Sequence, residues 1–192
     1  AEFNELDQES AKKLSENGHE LFNTIESMPI PVIALVNGYS LGGGCELALS
    51  CHLRIATENA KFSQPEINLG TIPGYGGTQR LTQIIGKGRA LEMMLTAEMV
   101  DAKSALEYGL VNYILDDKEK ALEKSVSILN TVKRKSPKAI ANVIKSVNNF
   151  YNKDVNGFDQ EIKIFSKLCN SEDFKEGVNA FHEKRCPSFK GK

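Results

Sequence analysis

An uninterrupted apolar run followed by glycines is the feature that most limits how this chain can fold. Residues 32–36 read VIALV and end at Asn37-Gly38. Continuous rather than alternating apolarity is typical of a strand that a parallel sheet buries on both faces, so we expect a central strand here. Residues 43–50 then predict a helix and residues 53–56 a second strand. A strand, a helix and a strand in this order predict an α/β fold.

Patterns on either side of this unit predict mostly helices. A first helix is expected at residues 5–27, with an apolar stripe of Leu14, Leu21, Ile25 and Met28. After a glycine- and proline-rich loop at residues 64–77, the chain predicts a strand at 111–115 and helices at 78–85, 89–95, 101–108, 118–134, 137–151, 156–169 and 172–185. We therefore expect an α/β core at residues 1–115 and a helical region at residues 116–192.

The charge balance gives no reason to expect a nucleic-acid or membrane partner. The 192 residues carry 24 basic and 25 acidic side chains, and no basic run is longer than three residues, whereas nucleic-acid and membrane surfaces select basic stripes. The acidic start does not predict a signal peptide. None of the four cysteines forms a C-x-x-C pair, so we expect free, mostly buried thiols in a reducing compartment.

The first candidate site is the turn after the apolar run. Residues 37–47 read NGYSLGGGCEL, so glycines precede a helix whose first turn contains Glu46. A helix N-terminus beside exposed backbone N–H groups favours an oxygen that becomes negative during a reaction. The same glycines could instead serve only close packing of the helix on the strand. The run matches neither a phosphate-binding Walker loop nor a G-x-G-x-x-G turn.

The second candidate site is the loop that contains Glu66. No other charge occurs in residues 62–77, so this carboxylate is expected to be partly desolvated, with a raised pKa. Two carboxylates that face one cleft can divide the acid and base roles of a reaction. A purely structural role, in which Glu66 caps a turn, is the alternative.

Three segments resemble the enoyl-CoA hydratase/isomerase (crotonase) superfamily. They are PVIALVNGYSLGGGCELA at residues 31–48, FSQPEINLGTIPGYGGTQRL at 62–81 and EGVNAFHEKR at 176–185. The resemblance runs along essentially the whole chain. It implies the crotonase spiral of strand–helix units followed by a C-terminal helical trimerisation region. It also implies an acyl-CoA substrate, a homotrimer or a hexamer, and a location in the cytoplasm or, in a eukaryote, the mitochondrial matrix.

The resemblance also implies a role for particular residues. Glu46 matches the glutamate that activates water, and Glu66 the glutamate that exchanges the proton at the α-carbon. Gly43 matches the residue whose N–H forms half of the oxyanion hole, and Gly74 a backbone position near the catalytic water. Further substrate contacts are expected from Leu41, Gly42, Pro73, Phe181 and Lys184.

Both glutamates are present, which favours a hydratase, a lyase of fatty acid metabolism, over an isomerase. A Δ3-Δ2-enoyl-CoA isomerase, a pathway-specific 3-hydroxybutyryl-CoA dehydratase and an inactive assembly or binding paralogue remain alternatives. The chemistry needs no metal and no cofactor beyond the CoA of the substrate. We expect the three histidines to be structural or exposed, and we weigh a nucleophilic Cys45 against its role as a small buried side chain.

The resembled family has a longer N-terminal part, which donates the second oxyanion N–H. This chain has no initiator Met, and we expect that part of the fold to be absent from it. Loss of one such donor lowers turnover by roughly 10²–10³-fold. The 192 residues alone are therefore expected to hydrate crotonyl-CoA poorly.

Overall fold

The chain divides into two compact units in the computed structural model, which describes residues 7–192. One unit comprises the chain up to Glu26 together with Val32–Ser125, and the other comprises Ser27–Pro31 together with Val126–Lys192. The division between these compact units falls inside a helix, between residues 125 and 126. The boundary predicted from the sequence, at residue 115, separates α/β structure from purely helical structure.

The first unit contains both sheets. Its strands are β1 (Ile33–Val36), β2 (Tyr39–Leu41), β3 (Leu53–Thr57), β4 (Lys61–Ser63), β5 (Val100–Asp101) and β6 (Tyr113–Leu115). Its helices are α1 (Gln8–Glu26), α2 (Gly43–Ser50), α3 (Gly77–Thr96) and α4 (Ala102–Glu107), and α5 (Lys118–Val132) crosses the division. One parallel sheet has the order β1-β3-β6, and the other, with the order β2-β4-β5, is mixed.

The predicted strand–helix–strand unit is present as β1, α2 and β3. The two strands are parallel, with Ile33 opposite Leu53 and Val36 opposite Ala56. Among the described residues β1 is an edge strand, because β3 lies between β1 and β6. Only Val36 of β1 is buried, whereas residues 54–57 of β3 are all buried. Apolar composition does not separate an edge strand from a central one.

Buried Arg54 on β3 fixes the end of α2. Its guanidinium donates from Nη1 to the carbonyls of Cys51 at 2.6 Å and Ala48 at 3.3 Å, and from Nε to the carbonyl of Leu110 at 2.7 Å. A cation is stabilising at a helix C-terminus, where the last carbonyls lack partners. The contact anchors α2 to the sheet, and α2 carries Glu46.

Two of the predicted helices form one element, which is kinked at a glycine. Residues 78–85 and 89–95 belong to one element, α3, which is kinked at Gly86, where φ is 78° and ψ is 161°. The remaining predicted helices lie within a few residues of their expected bounds. The predicted start of the first helix, at residues 5 and 6, lies outside the described residues.

The second unit is helical. Besides the end of α5 it contains α6 (Pro137–Asn149), α7 (Gly157–Leu168) and α8 (Glu172–His182). Ser136, Asn156 and Ser171 cap the last three helices, each accepting a hydrogen bond from a backbone N–H of the first turn. No helix within residues 7–192 combines the length and apolarity needed to cross a bilayer.

A C-terminal clamp closes the second unit, formed by Ser136, Asp173 and residues 190–192. The Asp173 carboxylate, 3% exposed, accepts from Ser136 Oγ at 2.6 Å, from the Lys190 N–H at 2.7 Å and from the Gly191 N–H at 3.0 Å. The Asp173 N–H donates to the Lys192 carbonyl at 3.2 Å. The clamp therefore joins the first turns of α6 and α8 to the end of the chain.

Candidate active site

Glu46 takes its position from the first turn of α2. Gly42 turns the chain into this helix with φ 50° and ψ −124°, and its carbonyl accepts from the Glu46 N–H at 2.9 Å. The Glu46 side chain is 1% exposed. Its oxygen Oε1 accepts from the backbone N–H groups of Tyr75 at 2.8 Å and Gly77 at 2.7 Å. Both of these backbone donors bind Oε1 rather than Oε2.

Glu66 opens a short 3₁₀ helix, Glu66–Leu69, at the start of the second glycine-rich segment. Its side chain is half-buried, and the Gln64 side chain beside it is fully buried. In the amide orientation that its neighbours require, the Gln64 nitrogen donates to the two Glu66 carboxylate oxygens at 3.1 and 3.3 Å. Burial raises the pKa of Glu66 above the usual value of a glutamate, and the negative charge of Glu46 raises it further.

Two glycines lie against these carboxylates, at positions where a side chain would not fit. A Cβ atom on Gly42 would lie 2.7 Å from Glu66 Oε1. A Cβ atom on Gly77 would lie 2.9 Å from Glu46 Oε1 and 2.9 Å from the Gln64 carboxamide. Any larger residue would displace a carboxylate or the amide beside it. The structure thus brings the two sequence-predicted glutamates into one region, because the Gln64 amide that donates to Glu66 lies, with Glu46, against Gly77.

The N-terminus of α2 points its backbone at the same region. Gly43 is the first residue of α2, so its N–H has no acceptor within the helix. The positive end of the helix dipole adds to this donor. A Cβ atom on Gly43 would lie 3.5 Å from the Tyr75 ring, so the donor is adjacent to the loop of residues 73–77. An oxygen that gains negative charge would be stabilised at this N–H.

Helix α1 supports the loop of residues 73–77. Ser15 Oγ donates to the Gly74 carbonyl at 2.5 Å. The Tyr75 ring packs against Gly18, where a Cβ atom would lie 2.1 Å from the ring, and meets the Phe22 ring edge-to-face at 5.8 Å between centroids. These contacts hold the backbone whose N–H groups hold Glu46.

Arg80 adds a second support to this loop. The side chain, 6% exposed, donates to the Tyr75 carbonyl at 3.0 Å and to Asn23 Oδ1 at 2.6 Å, and it forms an ion pair with Glu26 at 3.0 Å. The guanidinium therefore ties the end of α1 to the loop.

The sequence pattern did not predict these supports, because the expected apolar stripe of α1 includes none of Ser15, Gly18 and Phe22. The expected stripe contains Leu21, which is 57% exposed, whereas its neighbour Phe22 is buried. The face that packs carries Ser15, Gly18 and Phe22, whose spacing of three and four residues is helical. A glycine inside a helix, together with a serine on the same face, was the signal that could have identified it.

The other predicted substrate contacts fall into two groups. Leu41 ends β2, and Pro73 is buried beside Gly77, with its Cβ 2.9 Å from a Cβ atom on that glycine. Pro73 thus lies beside the same glycine as Glu46, and Leu41 directly precedes Gly42, which lies against Glu66. Phe181 and Lys184 belong to the second unit, where Phe181 is 82% exposed and Lys184 has a left-handed backbone with φ 53°.

Cys45 and His52 are titratable side chains near the site whose contacts are those of structural residues. Burial raises the pKa of the Cys45 thiol to about 12, with the charges of Glu46 and Glu66 acting in the same direction. A thiol in this state is a poor nucleophile. His52 accepts at Nδ1 from the Val32 N–H at 2.8 Å, and its Nε2 lies 3.1 Å from the Glu26 carbonyl. Within residues 7–192, no three of the histidine, cysteine, aspartate and glutamate side chains are grouped to hold a metal.

The arrangement is suited to acid–base chemistry next to an oxygen that gains charge. One carboxylate is fixed by two backbone donors, and the other has a raised pKa and retains access to solvent. Pairs of carboxylates in different surroundings divide the roles of base and acid. An enzyme that moves protons next to a carbonyl oxygen would use two carboxylates and a helix N-terminus of this kind.

Comparison with known proteins identifies the family. The sequence profile described as "Enoyl-CoA hydratase/isomerase" matches residues 1–192. A Bacillus subtilis protein named "Probable enoyl-CoA hydratase" is 42% identical over 187 residues, which are 95% of this chain and 71% of that protein. A "Short-chain-enoyl-CoA hydratase" of Clostridium acetobutylicum is 38% identical over 186 residues, with 96% and 71% of the two chains covered.

A solved structure agrees with these sequence relatives. The crystal structure of an enoyl-CoA hydratase from Bacillus anthracis matches with a TM-score of 0.90 and 35% identity over 98% of this chain and 73% of that chain. The chain belongs to the enoyl-CoA hydratase/isomerase family. The resemblance and the α/β fold class drawn from its sequence are confirmed.

Proposed function

We propose that the enzyme adds water reversibly across the double bond of a trans-2-enoyl-CoA, giving a 3-hydroxyacyl-CoA. The observation that carries the proposal is that the carboxylates of Glu46 and Glu66 lie in one region of the structure and in different surroundings. The hydratase names of the relatives agree with it. Since the reaction is reversible, dehydration of a 3-hydroxyacyl-CoA is the same chemistry at the same site.

In this mechanism Glu46 is the base. Its oxygen Oε2 takes a proton from water, and the oxygen of that water bonds to Cβ of the substrate. The negative charge that develops on the thioester oxygen is stabilised by the Gly43 N–H. Such a donor contributes roughly 10²–10³-fold to turnover. By resemblance to the family, the Gly74 backbone lies near the water.

Glu66 is the acid. Its protonated carboxyl delivers a proton to Cα as the new C–O bond forms at Cβ, so the product gains the hydroxyl of the water at Cβ and a hydrogen at Cα. The proton that Glu46 took from the water then returns to Glu66 through solvent, which restores both carboxyls and completes the addition of one water molecule. The raised pKa of Glu66 supports this role, because a larger fraction of the carboxyl is protonated near neutral pH than for an ordinary glutamate. Leu41, Gly42 and Pro73 are proposed substrate contacts in the cleft, and Phe181 and Lys184 are proposed contacts of CoA.

We also propose which cofactors the enzyme needs, its compartment and its oligomeric state. The reaction as written needs no cofactor beyond the CoA of the substrate. The four cysteines are all free thiols, which supports a reducing compartment such as the cytoplasm or the mitochondrial matrix. A homotrimer, or a hexamer of two trimers, is proposed from the family and from the exposed apolar side chains of α6 and α7.

An assay of the full-length protein with two substrates tests the proposal. We expect hydration of crotonyl-CoA and little conversion of a 3-enoyl-CoA. Glu46→Gln should lower turnover of crotonyl-CoA by roughly 10²–10⁴-fold, since that is the usual contribution of a general base. Glu58→Gln, at an exposed position, is the matched control and should leave turnover unchanged.

Two results would count against the hydratase. Rapid isomerisation of a 3-enoyl-CoA without hydration would favour the isomerase. A near-normal rate in Glu46→Gln would show that this carboxylate is not the base. Absence of any turnover by the folded native protein would favour an assembly or binding role.

A further inference from the structure

The Tyr75 ring fills the space between α1 and the first turn of α2. Ring atoms Cδ1 and Cε1 face Gly18, where a Cβ atom would lie 2.1 and 2.6 Å away. The opposite edge, Cδ2 and Cε2, faces Gly43, where a Cβ atom would lie 3.6 and 3.5 Å away. The ring is thus bounded on both edges by glycines, one on each helix.

The contacts around this ring leave it little freedom. The Phe22 ring meets it edge-to-face at 5.8 Å. Both polar groups of its backbone are held, because the Tyr75 N–H donates to Glu46 at 2.8 Å and the Tyr75 carbonyl accepts from Arg80 at 3.0 Å. Displacing the ring therefore requires α1 or the loop itself to move.

Tyr75 contacts both Gly43, the proposed oxyanion donor, and Glu46, the proposed base. If the thioester oxygen binds at the Gly43 N–H, then Cα lies toward Glu66, and Cβ lies toward the water on Glu46. An acyl chain that continues past Glu46 reaches Tyr75, whose N–H donates to Glu46 at 2.8 Å. The Tyr75 ring lies against Gly18 of α1, so an acyl chain that grows toward α1 would meet the ring.

We infer that the Tyr75 side chain limits the length of the acyl group, so that the enzyme acts on short-chain enoyl-CoA thioesters. This inference rests on the proposed hydratase function. Replacing the ring with a smaller side chain would open a channel between α1 and α2 that is lined by Gly18 and Phe22. An apolar channel of this kind accepts additional methylene groups, and each methylene that is buried changes specificity by roughly tenfold or more.

The test compares kcat/KM for trans-2-enoyl-CoA substrates of four, six, eight and ten carbons. The native full-length protein, Tyr75→Ala and Tyr75→Phe are measured side by side. We expect the native protein and Tyr75→Phe to favour the four-carbon substrate, because the phenylalanine ring keeps the barrier. Tyr75→Ala should raise the ratio of kcat/KM for the ten-carbon to the four-carbon substrate by at least about tenfold.

The outcomes separate this inference from the function on which it rests. If the native protein hydrates crotonyl-CoA and Tyr75→Ala shows an unchanged ratio, the ring does not limit acyl length. If the native protein hydrates none of the four substrates, the proposed function fails. Tyr75→Leu, which retains more of the packing against Phe22, is measured as well, so that misfolding of the alanine variant does not decide the result. It should shift the ratio in the same direction by a smaller amount.

Discussion

Glu46 and Glu66 differ in the kind of group that holds each carboxylate. Backbone N–H groups of Tyr75 and Gly77 hold Glu46, and no side-chain substitution removes them directly. A side chain, the Gln64 carboxamide, holds Glu66. One mutation can therefore change the environment of the proposed acid and leave the hydrogen bonds of the proposed base in place.

We predict that Gln64→Leu moves the pH dependence of hydration. If Glu66 donates the proton to Cα, turnover falls as pH rises and Glu66 loses that proton. Because the two carboxylates interact, the pH of this fall is an apparent pKa of the pair. The Gln64 amide donates to the ionised carboxylate and so favours it. Its removal should raise the pKa of Glu66 and shift the falling limb of the kcat profile to higher pH.

The control for this shift is the same substitution at Gln79, which is exposed on α3. Gln79→Leu should leave the limb where it is in the native protein. A limb that moves to lower pH in Gln64→Leu, or does not move, would contradict the proposed role of the amide. A merely structural effect would lower the rate at all pH values and leave the position of the limb unchanged.

At the scale of elements, α1 acts on the site through packing. It contacts the loop of residues 73–77 through a hydroxyl, a glycine and an aromatic ring, and none of these groups reaches the glutamates themselves. A change on α1 should therefore alter both the stability of the fold and the position of Glu46.

Gly18→Ala tests this coupling, because two effects on stability have opposite signs. Alanine in place of glycine inside a helix usually stabilises it by about 1 kcal/mol. Here the added Cβ would lie 2.1 Å from the Tyr75 ring, and overpacking of this kind costs about 1–3 kcal/mol. We expect a net loss of stability in urea unfolding and lower turnover of crotonyl-CoA.

Gly88→Ala is the matched control for Gly18→Ala. Gly88 lies in the first turn of α3 beyond its kink at Gly86, and a Cβ atom there meets nothing within 4 Å. This variant should be as stable as the native protein or more so, with unchanged turnover. Stabilisation by both substitutions would show that α1 has room at Gly18 and that the packing on Tyr75 is not tight.

The C-terminal clamp of the second unit predicts a dependence of stability on acid. Burial alone would raise the pKa of Asp173, but hydrogen bonds from Ser136 and from the backbone of Lys190 and Gly191 outweigh it and lower the pKa. A lowered pKa in the folded state gives stability that is present above the ordinary aspartate value, about 3.9, and is lost as pH falls through the lowered value.

Asp173→Asn should remove this dependence. Asparagine offers one acceptor oxygen to three donors, so we expect a loss of about 1–3 kcal/mol at neutral pH and faster hydrogen exchange of the Lys190 and Gly191 amides. Asp154→Asn, at an exposed turn position, should change neither. Unchanged exchange at the two amides in Asp173→Asn would mean that the clamp does not hold the end of the chain.

The positions of the helices and strands also show how much of this fold could be predicted from the sequence. Helices such as α6 and α8 were located to within a few residues because the spacing of apolar residues along a helix is a local signal. Strands β2, β4 and β5 were missed, since segments of two or three residues have no readable periodicity. Their pairing is long-range, as with Lys61 opposite Asp101, and only the folded chain brings such residues together.

At the candidate site the same division holds. Glu46 and Glu66 were found because each lies in a glycine-rich motif that can be read along the chain. Ser15 and Arg80 were not, because their partners at Gly74 and Glu26 are more than fifty positions away in sequence. Motifs identify the groups that react, whereas the residues that hold them are identified by packing.

At the scale of the whole molecule, apolar side chains on α6 and α7 remain uncovered. Val143 is 62% exposed and Val147 59% on α6, and Phe158 is 80% exposed and Phe165 68% on α7. A contiguous exposed apolar surface usually marks a contact with another protein. Family resemblance supplies the number of copies, and we expect the full-length protein to be a trimer or a hexamer in light scattering.

Charge placed in this surface should separate the copies. Val143→Glu would bury an unpaired carboxylate in the interface, and such burial is strongly unfavourable. We expect a smaller species in light scattering and a midpoint of thermal unfolding that no longer depends on protein concentration. Lys145→Glu, at an exposed polar position two residues further along α6, changes the charge by more and should leave the assembly intact. Two results would contradict this interface: a monomeric native protein, or a Val143→Glu variant whose mass equals that of the native assembly.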